Sequence, residues 1–267
     1  MSIGFRHLIS LSTTPLKLKI LEGLENPAGI SSLARSLDVS RDTVKPHIRN
    51  FVEAGLVERC GEGYRLTALG RIILEKAVEV EKLLSIAKDT GEFFRTHDTS
   101  PIPEELMKEI HYLYGGYLVR SSDPFELSED WIRILKASNW IKGVSPVYHP
   151  EFPALFTYLA EERDIKLVLT ENVFEKCVSK HPELVQKFIG LGEMRVCSDA
   201  KVAFVVAEKG FAMGLYVGDA YDANHIFVCT SDEAVRWGFK LFNNFYSRSR
   251  KVVKDHLWVC GTTHGDI

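Results

Sequence analysis

The sequence predicts an α/β protein whose two halves differ in texture. Before residue 98 the apolar positions recur at helical spacing, with one short Gly-rich turn. After residue 105, β-branched apolar runs alternate with helical segments. Between them lies DTSPIPEE at 98–105, whose two prolines punctuate the chain. The expected organisation is a small domain at 1–70, a connecting helix at 71–97, an α/β domain at 104–252 and a tail at 253–267. Of the 267 residues 45% are hydrophobic and 26% charged. That is enough apolar material for a core without disulfides or metals, and it argues against wholesale disorder. A net charge of −3 means that any basic surface must be local. The five cysteines are scattered, with no CxxC pair, as in a reduced, cytoplasmic chain. No secretory signal and no bilayer-spanning window is expected.

The first helix follows Thr13-Thr14-Pro15. Leu16, Ile20, Leu21 and Leu24 share one face, and Asn26-Pro27 stops it. In GISSLARSLDVS, Leu33 and Leu37 stack four apart, Ala34 permits close helix contact, and Val39 reaches the core beyond a turn. Ser40 then caps RDTVKPHIRNFVEAG. Val44, Ile48, Phe51 and Val52 take the inner face, while Arg41, Lys45 and Arg49 recur every four residues on another. Pro46 conflicts with a regular helix: either the helix begins near Lys45 or its first turn is kinked. Leu56 to Arg59, a Gly61-Glu62-Gly63 turn and Tyr64 to Leu66 read as a hairpin. Three helices and a hairpin describe a winged helix-turn-helix. Residues 1–70 hold nine Lys and Arg against seven Asp and Glu, so distribution and not total charge has to carry nucleic-acid binding.

The stretch ISSLARSLDVSRDTVKPHIRNFVEAGLVERCGEGYRLTALGR resembles the winged-helix segment of ArsR-type and related archaeal transcription regulators. The resemblance implies binding to double-stranded DNA. Ser40, Arg41, Thr43, Lys45, His47 and Arg49 would face the groove or phosphates, and Arg59, Tyr64 and Arg65 would form the wing. The alternative is a winged-helix adaptor that binds protein.

From Leu69 the chain reads LGRIILEKAVEVEKLLSIAKDTGEFFRTH. Ile73, Ala77, Val80, Leu84, Ala87, Gly91 and Phe94 alternate four and three apart. Such a seam suits helix pairing between two chains and predicts a homodimer; docking on the chain's own second half is the alternative.

In the second half, LMKEIHYLY and DPFELSEDWIRILKAS read as helices, WIKGVSPVY as a strand with its exit, and EFPALFTYLAEERD as a helix. IKLVLTENV is a strand, and FEKCVSKHPELVQKFIGLG is helical with a break at His181-Pro182. Four strand-like segments follow, EMRVCSD, KVAFVVAEKG, FAMGLYVG and HIFVCTSD, before a closing amphipathic helix from Asp232. The whole reads as a mixed α/β sandwich. Ligands in such sheets favour the carboxyl ends of strands, so Ser145, Tyr148, His149, Thr170 and Glu171 are candidate pocket residues for a small-molecule effector. The bland alternative is helix capping by Thr170 and a surface position for His149.

WIKGVSPVYHPEFPALF, IKLVLTENVFEKC and MRVCSDAKVAFVVAEKGFAMGLY resemble the domain that follows the winged helix in archaeal methanogenesis-type (Fil-like) regulators. That domain is similar, more distantly, to one half of the phospholipase D fold, also met in archaeal sugar-responsive regulators of the TrmB type. Phospholipase D chemistry needs His-x-Lys, and the matching place is Asp199-Ala200-Lys201. A carboxylate cannot form the phosphohistidine, and it repels a phosphodiester. Lys201 could bind an anion or pair with Asp199, and both join the candidate ligand-binding residues. The reading is a non-enzymatic, dimeric, sequence-specific transcription regulator with a sensing or dimerising second domain; a degenerate phosphodiester-processing enzyme is the alternative. Cys177 with His181 and Cys260 with His264 have spacings that could ligate zinc, but the spacing is common and no metal or cofactor is expected.

Overall fold

The computed structural model describes residues 15–121 and 128–253. Thr13-Thr14, residues 122–127 of the expected DPFELSEDW helix, and the tail from 254 with Cys260 and His264 lie outside the described residues. The chain divides into two compact units, Met1–Ser85 and Ile86–Ile267. Among the described residues no helix is long and apolar enough to cross a membrane.

The first unit contains α1 (Pro15–Glu22), α2 (Ile30–Ser36) and α3 (Arg41–Glu53), then β1 (Val57–Cys60) and β2 (Gly63–Leu66). Leu18, Ile20, Leu21, Leu24, Leu33, Val44, Ile48 and Phe51 are buried together. The turn between α2 and α3 follows from its hydrogen bonds. Val39 N–H donates to the Ala34 carbonyl at 3.0 Å, and Asp38 N–H to that of Arg35 at 3.4 Å. This Schellman pattern needs a left-handed residue after the helix end, and Asp38 supplies it at φ 53°. The chain then leaves at the angle that lets Ser40 cap α3, its Oγ accepting from Thr43 N–H at 3.1 Å.

Three expectations change here. The helix runs unbroken from Arg41 to Glu53 with Pro46 inside, so it does not begin at Lys45. The donor that Pro46 lacks would have served the Asp42 carbonyl, which sits at an exposed residue within reach of water. Val52 is 42% exposed, because Phe51 takes the inner position beside Ile48. The tip of the hairpin is two residues, Gly61 and Glu62; Cys60 pairs with Gly63, and Gly61 takes the positive φ that the reversal requires. Tyr64 also bonds through its backbone to Ala28, both ways at 2.9 Å, which ties the base of the hairpin to the helices.

Helix α4 (Ala68–Asp89) packs Leu74 and Ala77 into the first unit's core. It does not carry one seam to residue 95. Thr90 breaks it, and α5 (Gly91–Thr96) follows. Leu84 and Ala87, expected on the seam, are exposed, whereas Ile86 and Phe93 are buried in the second unit.

The second unit continues with α6 (Glu104–Lys108), a 3-10 turn at Ile110–Leu113 and β3 (Tyr117–Arg120). Next come α7 (Glu129–Ala137), β4 (Trp140–Ser145), α8 (Phe152–Leu159), β5 (Asp164–Thr170), α9 (Glu171–Lys180) and α10 (Pro182–Leu191). The closing part is β6 (Glu193–Cys197), β7 (Ala203–Ala207), β8 (Gly210–Gly214), the short pair β9 (Tyr216–Val217) and β10 (Ala220–Tyr221), β11 (His225–Cys229), α11 (Asp232–Ser247) and β12 (Arg250–Lys251). One eight-stranded sheet has the order β12-β6-β5-β4-β7-β8-β11-β3. Strands β4, β5 and β6 run parallel, and the other pairings are antiparallel.

Side chains alternate across this sheet. Phe204, Val206, Phe211, Met213, Phe227 and Cys229 join Trp237, Leu241 and Phe245 of α11 on one face. Val205, Ala207, Ala212 and Val228 join Phe156, Phe174, Val185 and Phe188 of α8 to α10 on the other. The sheet is therefore covered on both faces, as expected of a mixed α/β sandwich, which explains why its central strands read as continuous apolar runs. Strands β3 and β12 were not expected. Both are short edges with exposed charged residues, and they give little periodic signal.

Candidate nucleic-acid interface and interior cavity

Helix α3 buries Val44, Ile48 and Phe51 and turns its opposite side to solvent. Ser40, Arg41, Lys45 and Arg49 are exposed, and Thr43 and His47 are half-buried. The three cations occupy positions i, i+4 and i+8, so they form a row about 12 Å long at ~1.5 Å per residue. A B-DNA major groove is about 12 Å wide and admits such a helix. Two of the cations have acidic neighbours: Lys45 Nζ lies 2.9 Å from Asp42, and Arg49 Nε 3.9 Å from Glu53. Exposed pairs of this kind are weak, and a phosphate competes readily for the cation. The hydrogen bond from Lys45 holds the Asp42 carboxyl below its usual range, so it stays anionic. Partial burial, aided by the charge of Lys17, pushes the His47 imidazole down, and it is neutral at pH 7.

In the hairpin, Arg59 and Arg65 are exposed. Arg65 Nε donates to Glu58 at 2.7 Å across the strands. Tyr64 is half-buried and packs on the first unit's core, so its ring contributes to the hairpin's base more than to its tip.

The second unit holds an interior cavity of about 390 Å³. It lies on the α8 to α10 side of the sheet, between the ends of β4, β5, β7 and β8 and the helices above them. A small-molecule site typically encloses ~300–1,000 Å³, mostly apolar with a few polar groups. Here the walls come from residues such as Trp131, Phe156, Leu169, Phe188, Val205 and Ala212. Of the seven residues the sequence suggested, Ser145, Tyr148 and His149 line it. Thr170, Glu171, Asp199 and Lys201 are not in its wall. Glu171, Asp199 and Lys201 are exposed, and Lys201 lies 3.6 Å from Asp219 rather than bridging to Asp199. Asp199-Ala200-Lys201 also sits in the loop between β6 and β7, not on a strand.

The polar groups of the cavity are held in place. Tyr148 Oη is 2.9 Å from His181 Nε2, and Ser145 Oγ donates to the Val147 carbonyl at 2.7 Å. Burial pushes the Tyr221 phenol well up and the Cys177 thiol up to about 11, so both stay neutral. The His181 ring is engaged by Tyr148, and Cys177 is buried among the apolar residues under α9. Tyr221 and the helix α7 residue Trp131 were missed in the sequence because they reach the cavity from segments far from the strand exits.

Two family models match this chain in order. One describes the N-terminal domain of methanogenesis regulatory protein FilR1, over residues 5–88, and the other the middle domain of the same protein, over residues 124–248. The chain is thus similar in both parts to the class of methanogenesis regulatory proteins that these models describe. One particular protein it is similar to is methanogenesis regulatory protein FilR1 of Methanothrix harundinacea (strain 6Ac), 28% identical over 261 residues. The match covers 92% of this chain but 58% of that relative, so the chain spans little more than half its length. Among solved structures, the archaeal chromatin protein TrmBL2, whose structure is described as showing a novel mode of DNA binding, aligns over 92% of this chain and 99% of its own with 14% identity and a TM-score of 0.43. A MarR family protein of Mycobacterium tuberculosis aligns over 34% of this chain and 79% of its own with 25% identity and a TM-score of 0.27. An O-methyltransferase family protein of Burkholderia thailandensis aligns over 72% and 60% with 12% identity and a TM-score of 0.26. At such TM-scores the structural likenesses are too partial to carry a functional argument.

Proposed function

We propose that this protein is a sequence-specific DNA-binding transcription regulator, acting as a dimer, whose second unit binds a small molecule and performs no catalysis. One observation carries the reading: α3 presents Arg41, Lys45 and Arg49 as an exposed row while its other face is locked into the core. A rigid helix with a cationic free face can enter a groove without reorganising. The similarity to the N-terminal and middle domains of FilR1 supports the same conclusion. In this reading Ser40, Thr43 and His47 complete the helix's DNA-facing surface, and Arg59 and Arg65 lie along the flanking backbone. Residues 1–70 form the DNA-binding part, 71–97 the connection and 104–252 the sensor.

Dimerisation is supported by the apolar residues that α4 leaves in solvent: Leu69, Ile72, Leu83 and Leu84 are 54%, 53%, 37% and 52% exposed. A second copy of the helix would cover them. The effector chemistry that suits the cavity is an apolar body with one polar end near Ser145, Tyr148 and His149. Effector binding would act on the spacing of two α3 helices through α4, which requires different affinities for two arrangements. The absence of a histidine at Asp199 argues against phosphodiester hydrolysis.

The test is a titration of the purified chain with the DNA upstream of its own gene and with a scrambled duplex, each at several salt concentrations. The reading predicts tighter binding to the native sequence and a steep fall of affinity with salt. Equal affinity for both, or binding indifferent to salt, would contradict it.

A further inference from the structure

Away from both sites, two histidines and an aspartate meet within the second unit. His97 directly follows α5, and Asp222 and His225 flank the turn between β10 and β11. Asp222 Oδ2 lies 3.1 Å from His97 Nε2 and 2.7 Å from His225 Nδ1. The three ligand-type atoms all fall within 4.8 Å of one another. His97 and Asp222 side chains are only 6% and 17% exposed, while that of His225 is 37% exposed.

The protons on His97 can be placed from its other neighbours. Its Nδ1 is 2.9 Å from the Phe93 carbonyl, which can only accept, so Nδ1 carries the hydrogen. The Thr96 hydroxyl donates to the Glu92 carbonyl at 2.8 Å and therefore accepts at Nδ1 as well. In the neutral ring this leaves a lone pair on Nε2, aimed at a carboxylate oxygen 3.1 Å away. Two lone pairs facing at that distance need a positive charge between them. A hydrogen shared in the His97–Asp222 contact would supply it, and so would a cation held by His97, Asp222 and His225 together.

We propose that His97 Nε2, Asp222 Oδ2 and His225 Nδ1 form a binding site for a divalent first-row transition-metal ion such as Zn²⁺. Two imidazoles and a carboxylate suit that class of ion, and the solvent side at His225 leaves a fourth position for water. Bonds of ~2.0–2.1 Å in a tetrahedral site set ligand atoms about 3.3 Å apart; the two separations from Asp222, 3.1 and 2.7 Å, are close to that, and the two ring nitrogens, within 4.8 Å of each other, would draw together by up to about 1.5 Å on binding. The outer shell is already in place: the Nδ1–H of His97 held by a backbone carbonyl, and Asp222 Oδ1 accepting from Asn224 N–H at 2.9 Å. The backbone bond from Asp98 N–H to the Tyr216 carbonyl at 2.8 Å fixes His97 against the same region. The bound ion would fasten the end of α5 to the turn before β11.

The full chain, stripped with a chelator, would be titrated with Zn²⁺ by calorimetry and with Co²⁺ by visible absorption. Asp222→Asn and His225→Ala would be measured beside it. Asp222→Asn keeps the shape of the carboxyl, and His225 is exposed enough for its loss to spare the fold, which circular dichroism checks. The site predicts one Zn²⁺ per chain, a ~100-fold or larger loss of affinity in each variant, and a rise in melting temperature with Zn²⁺ in the wild type alone. Wild-type binding no tighter than that of the variants, or an unchanged stoichiometry in them, would overturn the proposal.

Discussion

The two units put their candidate sites in opposite kinds of place. The first has a small core made by three helices and a hairpin, and its candidate site is the outer face of α3. The second has an eight-stranded sheet covered on both faces, and its cavity and histidine cluster lie between elements distant in sequence. A surface site needs only a helix with two faces, so one stretch of fourteen residues from Ser40 defines it. An interior site needs the sheet order, which sets which strand ends meet. The three cationic side chains of the surface site should therefore be removable without loss of stability, and interior side chains should not.

The largest effect that would sharpen this contrast is Trp237→Ala. Trp237 is fully buried between Phe211 and α6, and its Nε1 donates to the Leu106 carbonyl at 2.8 Å. Its loss should cost the second unit ~3–5 kcal/mol in urea unfolding. Trp131 and Trp140 remain as fluorescent reporters of that unit, and residues 1–85 contain no tryptophan. Next, Arg49→Ala should weaken DNA binding by ~1–3 kcal/mol and leave the unfolding midpoint of the first unit unchanged, since its partner Glu53 is an exposed acid. Ser40→Ala should cost the first unit about 1 kcal/mol by uncapping α3, seen in far-UV circular dichroism with no change in tryptophan fluorescence. The smallest effect concerns pH. Burial depresses the His47 pKa, so as pH falls below ~6.5 the unfolded chain takes up the proton first. The first unit should lose a little stability as pH falls through that range, and His47→Gln should flatten the slope.

The same contrast decides what was legible in the sequence. The four-residue spacing of Arg41, Lys45 and Arg49 against Val44 and Ile48 is local, and the helix-turn-helix order could be read directly. Even there, competition at one position went unseen: Phe51 excludes Val52 from the core. The seam on α4 reads as one helix through Phe94, but the helix is broken at Thr90, because a periodicity does not say which unit each turn serves; Leu74 faces one core and Ile86 the other. Ser145, Tyr148 and His149 were reachable because strand exits in parallel sheets gather ligands. Tyr221 of β10 and Trp131 of α7 were not, since neither stands at the exit of a parallel strand. His97 and Asp222 stand 125 residues apart and carry no motif.

DNA binding through the α3 face is the central claim, and one measurement tests it most directly. The salt dependence of binding to the native upstream duplex would be compared between wild type and the variant Arg41→Ala, Lys45→Ala, Arg49→Ala. If these side chains meet phosphates, the slope of log affinity against log salt should shrink by about 0.9 for each phosphate no longer neutralised, and discrimination against the scrambled duplex should fall. An unchanged slope and unchanged discrimination in a folded variant would place DNA binding elsewhere on the molecule and contradict that claim.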